Sequence, residues 1–341
     1  MRKPNRTRPH LPGVRDSNRS GERGIALVTT LLIIALLVAV TVEFNRNAVA
    51  DIEVTSNFVD EKKILYTTIS GVNALKELLM LDSQFSKADT LFEEWNQGEA
   101  YFASASSLLE EGTVTGDITD EDGKICVNTL VNAEGSLDGT QSRRWERLLS
   151  QPQFGLIPEE IFRIIHGVKD WIDPDNDVSG IYGAENSYYR EKGYHCKNGP
   201  MDTIEEMLLV RGVTEEIFFG DRYREGIRPC FTVYGDGSIN INTAPVPVLL
   251  ALSENMNQSV AKELDDFRRD PTNRGRLREV EWYRTFWPYE ELLPEKSLKT
   301  TSSFFSVWLQ GKLRESTKRV RAVIQRTTEV ARIVYWQETA S

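Results

Sequence analysis

The sequence predicts an α+β protein: a long N-terminal helix, half of it suited to a membrane, packed on an antiparallel sheet, with an inserted all-α domain and a second, smaller helical piece. Three observations carry this reading. An uncharged run of 18 residues, Ile25–Val42, stands near the N-terminus. The chain ends in three alternating, β-branched and aromatic stretches, "SFFSVWLQGKL", "KRVRAVIQRT" and "ARIVYWQE", whose period of two is that of half-buried strands. Between them, residues 142–219 place apolar residues at helical spacing.

The first element begins behind 24 residues that hold seven basic and two acidic side chains. At about 1.5 Å per residue the uncharged run spans about 27 Å, the thickness of a bilayer core. The basic flank leaves the first 24 residues in the cytoplasm and sends the remainder outward. The N-terminus alone allows a cleaved signal peptide, a permanent anchor, or a leader cut away from an apolar segment that stays. Ala48-Val49-Ala50 fits a signal-peptidase site, but the apolar core is long for a signal and Glu43 and Arg46 intervene. No proline occurs between Pro12 and Pro152, and Leu65, Ile69, Val72, Leu75 and Leu79 repeat at helical spacing. One helix from Ile25 to about Leu81, roughly 85 Å long, is therefore expected, its last third packing an apolar stripe on a head domain.

An acidic, Ser-rich patch follows at 92–111. In "TVTGDITDEDGKICVNTL", residues 113–130, the Asp122-Gly123 pair reads as a tight turn between two strands; the alternative is a calcium loop of Asp117, Asp120 and Asp122. The helical region contains "RRWERLLSQ", "PEEIFRIIHGVKDWID", opened by Pro158, and "DTIEEMLLVRGVTEEIFFG", where Asp202 to Glu205 has the form of a capping box. The strand pattern returns at "FTVYGDGSININTA", and residues 245–270 are helical again.

Composition excludes several functions. The chain of 341 residues carries a formal charge of −10, and because the first 24 residues are net +5, the body carries −15. Such a body neutralises phosphates poorly, which excludes nucleic acid as the main partner. Three cysteines without a C-x-x-C suit neither a disulfide scaffold nor a zinc site. No G-x-S-x-G, Walker A, H-E-x-x-H or G-x-G-x-x-G occurs. His10 falls in the leader, His166 suits a helix C-terminus, and His195 beside Cys196 forms no catalytic set. The stretch Asp173-Pro-Asp175-Asn-Asp177, with Glu185 beyond it, is the best ligand candidate, because carboxylates at alternate positions of a turn wrap a hard cation. Val178 and Ala184 stand where an EF-hand needs Gly and Glu, so the choice lies between an irregular calcium site and a solvated acidic loop. Asp170 is expected to face the preceding helix. In an oxidising compartment Cys196 and Cys230, at the two ends of the second half of the helical region, are expected to bridge, with Cys126 left as a buried thiol.

Arg23-Gly24-Ile25-Ala26-Leu27 resembles the prepilin-peptidase site of type IV pilins and pseudopilins, and "DWIDPDND…GAENSYY" (170–189) and "INTAPVPVLLAL" (241–252) resemble two signature stretches of the type II secretion minor pseudopilin K family. The resemblance implies a pseudopilin fold with these parts: a leader at 1–24, cut between Gly24 and Ile25; the long helix at 25–82, in the membrane over 25–42; a first head segment with a β-hairpin at 83–135; the inserted α-domain at 136–228; a strand and helical segment, related to a helix–hairpin–helix but without its glycines, at 229–300; and strands at 301–341. It also implies N-methylation at Ile25, calcium in the α-domain, and a single-pass protein of the bacterial inner membrane with its body in the periplasm. Its partners would be the I- and J-type minor pseudopilins, the major pseudopilin and the prepilin peptidase. The implied function is non-enzymatic: capping the pseudopilus tip, initiating its assembly and aiding export of folded proteins. Most pilins carry Glu at the fifth mature position; here it is Thr29, which suits a subunit with no neighbour above it. The competing reading is a signal-anchored periplasmic protein or hydrolase unrelated to pili.

Overall fold

The computed structural model describes residues 19–106, 112–286 and 297–340. Residues 1–18 of the expected leader, with His10, lie outside them, as do the end of the acidic patch at 107–111 and residues 287–296 of the second helical segment. The elements in chain order are α1 (Arg19–Phe85), α2 (Gly98–Ser106), β1 (Gly112–Asp120), β2 (Ile125–Cys126), α3 (Gly139–Leu149), α4 (Pro158–Ile172), α5 (Asn186–Glu191), α6 (Glu215–Phe219), β3 (Phe231–Thr232), β4 (Ile239–Asn240), α7 (Val246–Ala251), α8 (Gln258–Arg269), β5 (Leu298–Lys299), β6 (Phe304–Leu313), β7 (Ser316–Arg326) and β8 (Ala331–Ala340). The chain divides into two compact units, Met1–Asp60 and Glu61–Ser341.

The described part of the first unit is helix. Every residue from Gly24 to Val42 is exposed, and the segment is long and apolar enough to cross a bilayer. Its threonines suit an apolar solvent. Thr29 Oγ1 donates to Ile25 O at 3.0 Å and Ala26 O at 2.9 Å, and Thr30 and Thr41 each bond the carbonyl four residues back. No hydroxyl among these is left for water to satisfy.

The second unit holds two cores. One is built on a four-stranded antiparallel sheet in the order β1-β6-β7-β8. The three C-terminal strands are the expected meander. β1 is not half of a hairpin: it pairs along its whole length with β6, Gly112 opposite Leu313 and Asp120 opposite Phe305. The turn at Asp122-Gly123 exists, but β2 beyond it leaves to run parallel to β3. Adjacency in sequence suggested the partner; burial decided it, because Val114 and Ile118 must meet Phe305, Val307 and Leu309 on one face. Residues 61–85 of α1 lie on that face. The fully buried stripe is Ile64, Thr68, Val72, Leu75 and Leu79, with Leu65 and Ile69 only half buried. Gly311 in β6 admits the helix: a Cβ there would stand 2.4 Å from Ile64 Cγ2.

The other core gathers α3 to α8 with β2 and β3, around Trp145 tilted against Phe231 (4.2 Å between rings) and Trp171 edge-on to Tyr189 (5.1 Å). The capping box at the third helical stretch is shifted by one residue: Glu206, not Glu205, reaches back to the Asp202 and Thr203 N–H groups. Glu205 is instead turned to the sheet, where it pairs with Arg321 of β7 and with Arg228.

Candidate functional site

The acidic loop starts where α4 stops. Asp173 is the C-cap, its N–H bonded to Lys169 O at 2.9 Å, and Pro174 prevents the helix from continuing. The chain returns at Glu185, the residue before α5. Gly183 is required in between, because a Cβ there would lie 2.2 Å from Asp170 Oδ2. This path brings ligand oxygens of Asp173, Asp175 and Glu185 within 4.8 Å of one another, and among the described residues it is the one such group. Asp173 is 0% and Glu185 2% exposed, while Asp175 faces solvent.

Three buried oxygens here have no hydrogen-bond partner: Asp173 Oδ1 and both oxygens of Glu185. Native interiors rarely leave carboxylate oxygens so. Burial, then the charges of Asp170 and Asp173, pushes the Glu185 carboxyl up to about 7. Burial also raises Asp173, against the opposing effect of Lys169. Near the loop, Asn198 takes a left-handed backbone (φ 48°), gives its amide N–H to Asp175 O, and has a buried Oδ1 without a partner. The arrangement is a cluster of hard oxygens short of positive charge.

Several sequence expectations change. Asp177 does not join the group; its N–H donates to Asp175 Oδ1 at 2.7 Å and its side chain is exposed. Asp170 faces the loop rather than the preceding helix, accepting from Ser179 N–H at 3.0 Å. Cys196 and Cys230 are not bridged: all three cysteines are free and buried. The Cys196 thiol lies under the acidic loop, 3.2 Å from Asp170 O, whereas Cys230 sits in the turn before β3. Spacing gave the length of the loop a bridge would close, not the direction of either sulfur. Burial pushes all three thiols up to about 12. His166 Nδ1 lies 3.1 Å from Ser179 O and edge-on to Phe162 and Tyr182, while His195 is exposed. Sequence reasoning missed Lys169, whose ammonium contacts Asp173 Oδ2; its i,i+4 spacing from Asp173 was the available signal. It also missed Asn198, which carried none.

The Asp120–Asp122 turn is a different kind of site. Asp120 Oδ2 accepts from Asn240 Nδ2 (3.0 Å), Thr243 Oγ1 (2.6 Å) and Ser302 Oγ (2.5 Å). Asp122 pairs with Lys299 at 2.8 Å and caps the Ser303 and Phe304 N–H groups. Arg326 links Asp89 (2.5 Å), Ser302 O and Leu79 O. Asn242 bonds Leu277 O and accepts from the Trp282 indole. These oxygens are spent on the protein, and Asp117 is exposed with its Oδ1 accepting from Ile118 N–H, so the three do not converge as a calcium loop. The network joins α1, β1, the 240–243 stretch and the strand before β6. At the N-terminal end, a Cβ added at Gly24 would meet nothing within 4 Å, so no packing within the chain asks for glycine there.

The sequence model of the family "Type II secretion system (T2SS), protein K" matches residues 123–220, from the turn after β1 through α6. Type II secretion system protein K of Pseudomonas aeruginosa is 24% identical over 295 residues, 82% of this chain and 86% of that one. The protein of the same name from Pectobacterium carotovorum subsp. carotovorum is 25% identical over 331 residues, 94% and 97% of the two chains. The chain is therefore similar to type II secretion protein K, in part by the family model and at 24–25% identity over most of its length. A chain of the GspK-GspI-GspJ complex from enterotoxigenic Escherichia coli shares its fold, with a TM-score of 0.64 at 18% identity over 84% of this chain and 99% of that one. The N-terminal apolar helix of this chain fits a single-pass membrane anchor.

Proposed function

We propose that this chain is a minor pseudopilin of type II secretion, a structural component rather than an enzyme, that caps the tip of the secretion pseudopilus, starts its assembly with I- and J-type partners, and aids export of folded proteins across the outer membrane. Thr29 carries the tip assignment. In a pilin, Glu at this position reaches for the neighbouring subunit's N-terminal amine; here the hydroxyl is bonded into its own helix and asks nothing of a subunit above. The structural relative was solved with GspI and GspJ, which supports partners of those types. Cross-linking in native membranes should recover I- and J-type pseudopilins, with this chain in single copy. Finding it repeated along the shaft at the abundance of the major pseudopilin would overturn the reading. Thr29→Glu should not improve assembly, because an unpaired carboxylate in lipid costs several kcal/mol.

The leader is cut between Gly24 and Ile25 by the prepilin peptidase in the inner membrane, Ile25 is N-methylated, and the body resides in the periplasm. Because Gly24 has open space around its Cα, Gly24→Ala separates processing from folding. It should leave the leader attached in an otherwise folded protein, and mass spectrometry of the N-terminus reads the outcome.

The acidic loop holds calcium. The three unpaired buried oxygens of Asp173 and Glu185 support this, since a hard cation takes six to eight oxygens and removes their mutual repulsion. Asp175 completes the carboxylate set, and Asn198 is a fourth candidate. When bound, the ion supplies charge neutralisation alone; Asp173 and Glu185 tie the end of α4 to the start of α5. Melting with calcium should exceed melting in chelator, and identical midpoints would leave a solvated acidic loop.

A further inference from the structure

The acidic loop already contains one cation of its own. Lys169 stands one turn before Asp173 on α4, with its ammonium 2.5 Å from Asp173 Oδ2 and 3.7 Å from Asp170 Oδ1. Among the described residues it is the one cation paired with this cluster. Its contact divides the site into two halves. Asp173 Oδ2 is occupied, while Asp173 Oδ1 and both Glu185 oxygens, all buried, accept no hydrogen bond, and the Cys196 thiol beside Glu185 brings no positive charge. The lysine therefore neutralises only part of the charge that the loop gathers.

We propose that Lys169 is a built-in counter-ion that holds the loop in its cation-free form and competes with the incoming divalent cation, setting the concentration at which the site fills. The inference rests on the cation reading above and adds to it a residue that opposes binding. A dication bound between Asp173 and Glu185 and an ammonium on the other oxygen of the same carboxylate would stand only a few ångströms apart, where like charges in a partly buried site repel strongly. Something must yield, and Lys169 is built to do so. Its charge rides on a flexible four-carbon stem, and the side chain is 16% exposed, so solvent lies within its reach. Asp170 has no reason to move: as an anion it is attracted by the dication, and its oxygens are held by Ser179 N–H. Lys169 thus gives the loop a folded state without metal, at the cost of affinity with it.

Lys169→Met keeps the length of the stem and removes the charge. Calorimetric titration of the full chain in detergent micelles with calcium chloride should show the variant binding at least about tenfold more tightly than the wild type. In chelator the variant should melt lower than the wild type, because the carboxylates have lost their counter-ion. If the wild type binds calcium and the variant binds with equal or weaker affinity, the role of Lys169 falls and the cation site stands. If neither binds, both fall. Should the variant not fold, the wild type still decides the matter through acetylation of lysines by acetic anhydride, read by peptide mass spectrometry. Lys169 should react several-fold faster with calcium than with chelator, with exposed Lys262 as the reference. Equal rates, in protein shown by calorimetry to bind calcium, would overturn the proposal.

Discussion

Two buried acidic clusters among the described residues are opposites. Around Asp89, Asp120 and Asp122 the carboxylates meet Asn240, Thr243, Ser302, Lys299 and Arg326. Around Asp173 and Glu185 the oxygens meet one cation, Lys169, and beyond each other only neutral groups, the Cys196 thiol and the Asn186 backbone beside Glu185. Burying a charge is costly in both places; what differs is who offsets it. In the first cluster the chain does so with donors from three segments, the 240–243 stretch, residues 299–304 and Arg326 of β7, so the cluster is a joint. In the second the chain falls short of positive charge, so the cluster reads as a place for something from outside. Acidity in the sequence is the same signal in both, and only the count of satisfied oxygens separates them.

The contrast implies opposite signs for mutations, and the largest effect belongs to the joint. Arg326→Met removes the guanidinium from Asp89, Ser302 O and Leu79 O and leaves a buried carboxylate uncompensated. Breaking one side of such a pair costs about 3–5 kcal/mol. Chemical denaturation of the full chain in micelles should show a loss of that order at neutral pH, independent of calcium. A loss below about 1 kcal/mol would mean that the network adds no more than surface pairing.

Glu185→Gln should act in the other direction. In chelator at pH 8 it removes a charge that nothing pairs, so the variant should melt above the wild type, with a gain of about 1 kcal/mol. With calcium the order should reverse, because a ligand has been lost. A variant less stable than the wild type in both conditions would show that Glu185 has a partner within the chain, and the two clusters would no longer be opposites.

How much of this was legible beforehand follows from where the information lies. The long helix, the C-terminal meander and the helices α3 and α4 are written in local periodicity, and they appear where the pattern puts them. The pairing of β1 with β6 is not local: nearly two hundred residues separate the strands, and only the need to bury Val114 and Ile118 together with Phe305 selects it. The same holds at the sites. Asp173 and Asp175 were visible because alternation in a turn is a sequence property. Asp177 shares that alternation and points elsewhere. Asn198, far along the chain, arrives through the backbone path and a left-handed residue. The Cys196–Cys230 bridge failed for the same reason: spacing carries no direction.

Asp82 tests the joint more gently. It lies near the C-terminal end of α1 beside Asp89 and Glu93, 3.6 Å from Arg326, with Oδ2 lacking a hydrogen bond. Burial, then Asp89 and Glu93, pushes its carboxyl up to about 7. A carboxyl raised in the folded state adds stability below the unfolded pKa, near 4, and loses it as pH rises through about 7. Asp82→Asn cannot ionise, so it should match the wild type near pH 4 and exceed it by about 1 kcal/mol at pH 8. Melting curves across that range check the crossing. An Asn variant that is weaker at pH 8 would mean that Arg326 stabilises the Asp82 anion more than burial opposes it.

The smallest effect is expected at Asp177, where the sequence pattern and the structure disagree. By alternation it is the equal of Asp173 and Asp175. In the fold its side chain is exposed, it lies outside the carboxylate group, and its contribution to the turn is a backbone N–H given to Asp175. Asp177→Asn preserves that N–H and removes only a solvated charge, so stability should change by less than about 0.5 kcal/mol. Calcium affinity should fall only by the weak, salt-screened attraction of a charge outside the coordination shell. Asp175→Asn, equally exposed but inside the group, should weaken calcium by about tenfold or more. Titrating both variants at low and at 0.5 M salt separates the two cases, because screening removes the Asp177 effect and leaves the Asp175 effect in place. Equal losses in the two variants at high salt would make Asp177 a ligand, and the loop would then close around the ion in a conformation different from the one described.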